Sequence, residues 1–204
     1  MFYEPKDGHG LPHNPFKAIV APRPIAWVSS LDTDGNANLA PYSFFNAVAD
    51  DPPMLMVSSS PQISNEDKDT LTNVMNTGEF VVHIVPHEMR DAMNASSGAY
   101  PHGDDEFLRA GLEKAPSLLV APPRIAAAPV AMECRHHIDI GFPGKNGVRG
   151  AHVIFGEVVG IHIDDAMLVD GMLDVTRYNP LARLGYMDYS TVREVFSLER
   201  PKVR

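Results

Sequence analysis

The sequence predicts a mainly β chain: an antiparallel barrel, closed or half closed, with a few peripheral helices. Three observations carry that expectation. Six or seven segments read as strands, and most are joined by hairpin-type turns. Helical periodicity is confined to short stretches. Gly and Pro number 15 and 18, and such punctuation favours many short elements over a helical bundle.

Residues 1–22 carry Pro5, Pro12, Pro15 and Pro22 and should lie over the surface as an extended arm. Residues 24–32 read as a strand, Asp34-Gly35 is a hairpin turn signal, and residues 37–48 return as a second strand. Asp51-Pro52-Pro53 breaks that strand. Residues 54–60 form a third, nearly continuous apolar strand, which suggests burial on both faces. The period then changes. Leu71, Val74 and Met75 recur at three and four residues, so residues 68–78 read as an amphipathic helix. Asp67 or Asp69 can cap its start, and Gly78 sits where it should stop. Residues 79–85 are strand-like again, 87–97 look helical, and 104–112 suit another short helix. Pro116, Pro122 and Pro123 make residues 113–128 mostly irregular. Along 130–140, Val130, Met132, Cys134, His136, Ile138 and Ile140 share one face, and Glu133, Arg135, His137 and Asp139 the other. Residues 141–147 read as a loop, 151–164 as a long returning strand, and 174–189 as turn-rich.

Composition narrows the function. The chain has 204 residues, 44% of them hydrophobic and 21% charged, which suits one ordinary globular domain. Its net charge of −9, with no basic block, argues against a nucleic-acid or anionic membrane surface. Cys134 stands alone, so neither an intrachain disulfide nor a Cys-only metal site is expected. No apolar stretch is long enough to span a bilayer, and the first residues lack a signal-peptide pattern. A soluble, cytoplasmic setting is expected.

Two stretches could carry chemistry. At Lys68-Asp69-Thr70 a helix N-terminus offers backbone N–H groups, with an ammonium and a hydroxyl beside them. Ser58 and Ser59, at the end of the preceding strand, could add donors. The set suits a phosphate, and it equally suits a solvated helix start with a capping Asp. In Asn38-Leu39-Ala40-Pro41-Tyr42-Ser43-Phe44-Phe45 a proline interrupts the alternation, so the strand should bulge or lie at an edge. Its exposed backbone groups and aromatics could hold a planar ring, or the Phe residues could simply be core. Adjacent His136 and His137 should point to opposite faces and cannot readily share a metal. His152 precedes Gly156 and Gly160 on one strand face, where missing side chains would leave room for a ligand. No nucleophile elbow, phosphate-binding loop or dinucleotide glycine fingerprint is present.

The ordered series of motifs is more specific than any one of them. Residues 23–30 (RPIAWVSS) are followed by 38–45 (NLAPYSFF), Asp51-Pro52-Pro53, 68–73 (KDTLTN) and 78–82 (GEFVV). Farther on stand Ala110-Gly111-Leu112, Glu133-Cys134, 156–159 (GEVV) and Arg183-Leu184-Gly185. The series resembles the flavin reductase-like, FMN-binding split-barrel family, which includes flavoredoxin and the reductase components of two-component flavin monooxygenases. The resemblance covers roughly residues 15–190, with a domain at 23–190 between the arm and a tail at 191–204. It implies a homodimeric split β-barrel with FMN near the subunit interface, reduction of the flavin by NADH or NADPH, and a possible partner monooxygenase. The family binds FMN or FAD. By resemblance Thr70 is a phosphate contact with Lys68 as helper. Asn38 and the stretch Ala40, Pro41, Tyr42, Ser43 and Phe44 lie along the isoalloxazine ring. His152 lies near flavin and nicotinamide, and Arg183 lies on a C-terminal stretch close to the cofactor. Some relatives carry Lys at the position of Glu106. An acid there cannot neutralise a phosphate or a reduced flavin anion, so Glu106 is left outside the site. His83 stands where many relatives carry Asn. Two other readings stay open: a flavoprotein that only shuttles electrons or senses redox state, and a flavin-free metal-binding or structural barrel.

Overall fold

The computed structural model describes residues 1–61, 67–144 and 148–202. In chain order it contains α1 (Phe16–Ile19), β1 (Arg23–Pro24), β2 (Ala26–Leu31), β3 (Ala37–Tyr42), β4 (Phe45–Asp50) and β5 (Pro53–Ser59). Then follow α2 (Asp69–Thr77), β6 (Glu79–Ile84), α3 (Arg90–Ala95), α4 (Glu106–Arg109), β7 (Lys114–Ala115) and β8 (Arg124–Ile125). The chain ends with β9 (Val130–Gly141), β10 (His152–Ile163), β11 (Leu168–Val169), β12 (Met172–Leu173), β13 (Leu181–Arg183) and β14 (Tyr189–Thr191).

Seven strands form one antiparallel sheet in the order β3-β2-β6-β9-β10-β5-β4. Its two edge strands, β3 and β4, are consecutive in the chain and separated only by Ser43-Phe44. The sheet must therefore curl until its edges meet around that corner, which makes a half-closed barrel. This corrects the single strand expected over 37–48. Pro41 does lie on an edge strand, opposite Trp27, the place in a sheet where a residue without an N–H is tolerated.

The barrel interior is apolar. Val28, Leu55, Val57, Phe80, Val82, Cys134 and Ile154 meet Leu71 and Val74 of α2 there. Burial holds the Cys134 thiol well above its usual range, which keeps it protonated and inert. A second core lies outside the sheet, where Trp27, Leu39, Val85, Met93, Phe107 and Ile125 pack under α3, α4 and the following irregular segment. Hence β2 is buried on both faces. β5 is not: Leu55, Val57 and Ser59 are buried while Met54, Met56 and Ser58 are half-buried, so the expected two-sided burial there is corrected.

Two bulges reset the longest hairpin. His136 pairs with Gly156 and Ile138 with Phe155, leaving His137 as an extra residue, and Val159 is extra in β10. Beyond His137 the alternation inverts. Ile138 and Ile140 are 54% and 45% exposed instead of facing inward with Cys134. The glycines of β10 do not clear room for a ligand, contrary to expectation. A Cβ on Gly156 would lie 2.4 Å from Phe80 Cζ, and one on Gly160 3.5 Å from Glu133 Cβ.

Smaller differences are local. The arm carries one helical turn, α1, which corrects a wholly extended reading. Lys68, extended at ψ 149, takes the N-cap position of α2 without a side-chain capping bond, and Gly78 closes that helix at φ 75. The helix expected at 87–97 is a 3₁₀ turn, His87–Met89, running into α3. Part of the loop at 141–147 lies outside the described residues. Among the described residues no helix is long and apolar enough to cross a membrane.

Candidate functional site

A cavity of about 490 Å³ opens where the edge strand β3 passes the start of α2. β3 contributes Asn38, Ala40 and Pro41, and α2 contributes Lys68, Asp69 and Thr70. Residues 96–100 and Glu106 of α4 form the far wall. Leu71 and Val74 anchor α2 in the barrel core and so fix which way its first turn faces. The polar side of α2 then docks on the β2–β3 pair. Asn73 Nδ2 donates to Ser30 Oγ at 3.1 Å, and Thr70 Oγ1 donates to Asn38 Oδ1 at 2.7 Å.

The cavity is electrically uneven. Lys68 Nζ lies 5.3 Å from the Tyr42 ring centroid, with no carboxylate in ion-pair contact among the described residues. Burial lowers its pKa, and the nearby Lys17 ammonium adds to the shift. A half-buried ammonium without a counter-ion is matched by an anion. Asp69 already has a partner, His102 Nδ1 at 3.0 Å, and that hydrogen bond and charge raise the His102 pKa. Glu106, set aside by sequence reasoning, lines the cavity and is 6% exposed. It accepts from Asn38 Nδ2 at 3.0 Å and from Leu39 N at 2.9 Å. Burial raises its pKa against those two bonds.

Two more hydroxyls are buried, that of Tyr42 in the barrel core and that of Ser59. Neither makes a hydrogen bond of ordinary geometry among the described residues. Burial pushes the Tyr42 phenol up to about 12, although Thr70 and Ser59 stand near enough to its hydroxyl to pull the other way. Ser59 stands opposite His152 in the β5–β10 register.

Other expected site residues lie outside the cavity lining. The Phe44 ring receives Lys17 Nζ at 5.8 Å and Arg23 Cζ at 5.7 Å, and Ser43 Oγ accepts from Arg23 Nε at 3.5 Å. Ser58 donates its N–H to Phe44 O at 2.8 Å, which holds the corner between the edge strands. Arg183 packs over Tyr189, with Cζ 4.4 Å from the ring centroid. Its charge, after burial, lowers the Arg23 pKa. Lys17 and Arg23 were not anticipated, because a Lys in an arm and an Arg before a Pro carry no local signal. His152 donates from Nε2 to Asp139 Oδ2 at 2.5 Å, and His136 Nε2 lies 3.2 Å from Asp139 Oδ1. The bulge at His137 creates that grouping, which strict alternation forbids. Asp139 is held below the usual carboxylate range, first by the His152 hydrogen bond. Among the described residues no group of three or more ligating side chains is disposed to hold a metal.

The arrangement fits a flavin mononucleotide on two grounds. An ammonium without a carboxylate partner among the described residues stands at the start of α2, and the first turn of that helix and β3 wall a cavity of about 490 Å³ beside it. The sequence profile described as the flavin reductase like domain matches residues 20–182. A protein of Aquifex aeolicus (strain VF5) is 41% identical over 168 residues, covering 82% of this chain and 83% of that one. The crystal structure of nitrilotriacetate monooxygenase component B from Bacillus cereus superposes with a TM-score of 0.85 at 30% identity, covering 94% of this chain and 100% of that one. The 2-nitrobenzoate 2-nitroreductase NbaA of Pseudomonas fluorescens gives 0.79 at 30% identity, covering 91% and 88%.

Proposed function

Since the chain belongs to the flavin reductase-like domain family, we propose that it is an FMN-binding oxidoreductase that takes hydride from NADH or NADPH. The observation that carries this reading is the Lys68 ammonium, half-buried at the cavity edge with no acid to pair it among the described residues. Lys68 supplies the charge for the flavin phosphate, with Thr70 beside it at the helix start. Backbone groups of Asn38, Ala40 and Pro41 line the side on which the ring would rest. Bound FMN supplies the redox chemistry, accepting hydride and passing electrons on. The chain's part is to hold the ring, keep its surroundings dry and place the nicotinamide.

His152 is assigned beside the nicotinamide. Its bond to Asp139 fixes the ring plane and commits the Nε2 proton. A second subunit would bring further groups to this edge, and the resemblance supports a homodimer. The Bacillus cereus neighbour is one component of a monooxygenase, which supports a partner oxygenase as consumer of the reduced flavin.

The test is spectroscopic. Purified protein should take up FMN and show a flavin spectrum, and NADH or NADPH should bleach it. Lys68→Met should weaken FMN binding by about tenfold or more, the scale of one charge-assisted hydrogen bond. Riboflavin, which lacks the phosphate, should be little affected. His152→Ala should leave FMN affinity unchanged and slow the bleaching. No flavin uptake would end the proposal, and uptake without bleaching would leave an electron-transfer protein.

A further inference from the structure

Glu106, Asn38 and Thr70 form a buried chain along one wall of the cavity, with exposures of 6%, 8% and 2%. An ionised carboxylate only accepts hydrogen bonds. One Glu106 oxygen takes the Leu39 N–H at 2.9 Å, and the other takes an N–H of Asn38 at 3.0 Å. The Asn38 amide therefore turns its nitrogen to Glu106 and its oxygen to Thr70. That oxygen accepts the Thr70 hydroxyl at 2.7 Å. A hydroxyl has one proton. With it given to Asn38, Thr70 keeps only lone pairs, with the buried Tyr42 hydroxyl near them, and has no proton to offer the cavity.

We propose that Glu106 is a positioning residue of the cofactor cavity: its carboxylate orients the Asn38 amide, which sets the Thr70 hydroxyl as an acceptor rather than a donor toward a bound ligand. The inference rests on the cavity being the flavin-phosphate site, and it adds a rule for that site. Thr70 Oγ1 favours a ligand hydroxyl or N–H, while a phosphate oxygen is left to Lys68, which reverses the phosphate contact that the resemblance implies for Thr70. A neutral amide at position 106 reverses the chain. Its single oxygen must still accept the buried Leu39 N–H, so its nitrogen faces Asn38. The Asn38 amide then turns over, donates to Thr70 Oγ1, and frees the hydroxyl proton for the phosphate.

The experiment is a double-mutant cycle on the full chain. FMN and riboflavin affinities are measured by fluorescence titration for wild type, Glu106→Gln, Thr70→Val and the double variant. Riboflavin normalises changes in cavity shape. The expected result is a rise of about tenfold in the FMN-to-riboflavin affinity ratio in Glu106→Gln, the scale of one new hydrogen bond to a charged group. That rise should vanish when Thr70→Val is added. Thr70→Val alone should move the ratio by less than about threefold, since no charge-assisted bond is lost. Three results overturn the proposal. One is an unchanged ratio in Glu106→Gln. Another is a rise that survives in the double variant, which marks simple removal of a repelling charge. The third is a large loss in Thr70→Val alone, which means the hydroxyl already donates to phosphate. Wild type that binds FMN with any of these outcomes leaves the proposed function standing. Wild type that binds neither flavin removes both.

Discussion

Acidification from pH 7.5 to pH 4.5 should cost this fold ~2–3 kcal/mol through His83 alone. The side chain is fully buried on β6. Its Nδ1 donates to Trp27 O at 2.8 Å, and its Nε2 accepts from Ile125 N at 2.9 Å. Only a neutral imidazole does both, because an imidazolium has no lone pair for Ile125. Burial pushes the pKa down to about 4, against the pull of the Trp27 carbonyl and with help from Arg124 and His162. The unfolded chain binds a proton near pH 6.5, so it carries more protons than the fold between the two values. Stability from this group is therefore complete above the unfolded value and is lost as pH falls toward the folded one. His83→Asn is the informative variant. Asn offers one acceptor and one donor without titrating, which suits the resemblance to relatives carrying Asn at this position. Urea unfolding at pH 7.5 and 4.5 should show wild type losing ~2–3 kcal/mol more than the variant. Equal losses would mean that another group controls acid unfolding.

What the sequence revealed was mostly local. The β2–β3 hairpin is legible because Asp34-Gly35 supplies a residue at φ 87, which only glycine adopts cheaply. α2 is legible because Leu71 and Val74 repeat at helical spacing and Gly78 ends it. The jump from β3 to β4 is not legible, since nothing at Ser43-Phe44 tells a bend from a change of partner across the sheet. Nor is the bulge at His137. It depends on Gly156 making way for Phe80 in another strand. That one extra residue brings His136, Asp139 and His152 together. Lys68 and Thr70 could be chosen from sequence because a helix start has a local signature. Glu106 could not, because its partners stand 67 and 68 positions away in the chain. A charge argument excluded it; the hydrogen bonds that admit it are tertiary.

Glu133 makes the same point on the outer face of the sheet, and its loss should have a large effect there. Alternation places it on a polar face, yet it is fully buried. The irregular segment before β8 crosses over it, with Val120 packed on Val81 and Ala131 as a small apolar plug. So little apolar area cannot hold a loop. Polar side chains of the sheet do the rest through the loop backbone. Ser29 Oγ donates to Pro123 O at 2.6 Å, and Glu79 accepts from Ala121 N at 2.8 Å. Glu133 accepts from Leu118 N at 2.8 Å, Leu119 N at 2.6 Å and His162 Nε2 at 2.5 Å. Burial raises its pKa, but the three hydrogen bonds outweigh that and hold the carboxyl below its usual range. Glu133→Ala removes the acceptor of two backbone donors and of one imidazole. Hydrogen bonds to a charged group count for ~1.5–3 kcal/mol each, and water recovers part of that at the exposed leucines, so a net loss of ~2–4 kcal/mol is expected. Urea unfolding measures the loss, and hydrogen exchange locates it. The Leu118 and Leu119 amides should lose protection while those of β2 and β6 keep theirs. Unchanged protection at both leucines would show that Val120, and not the carboxylate, fastens the loop.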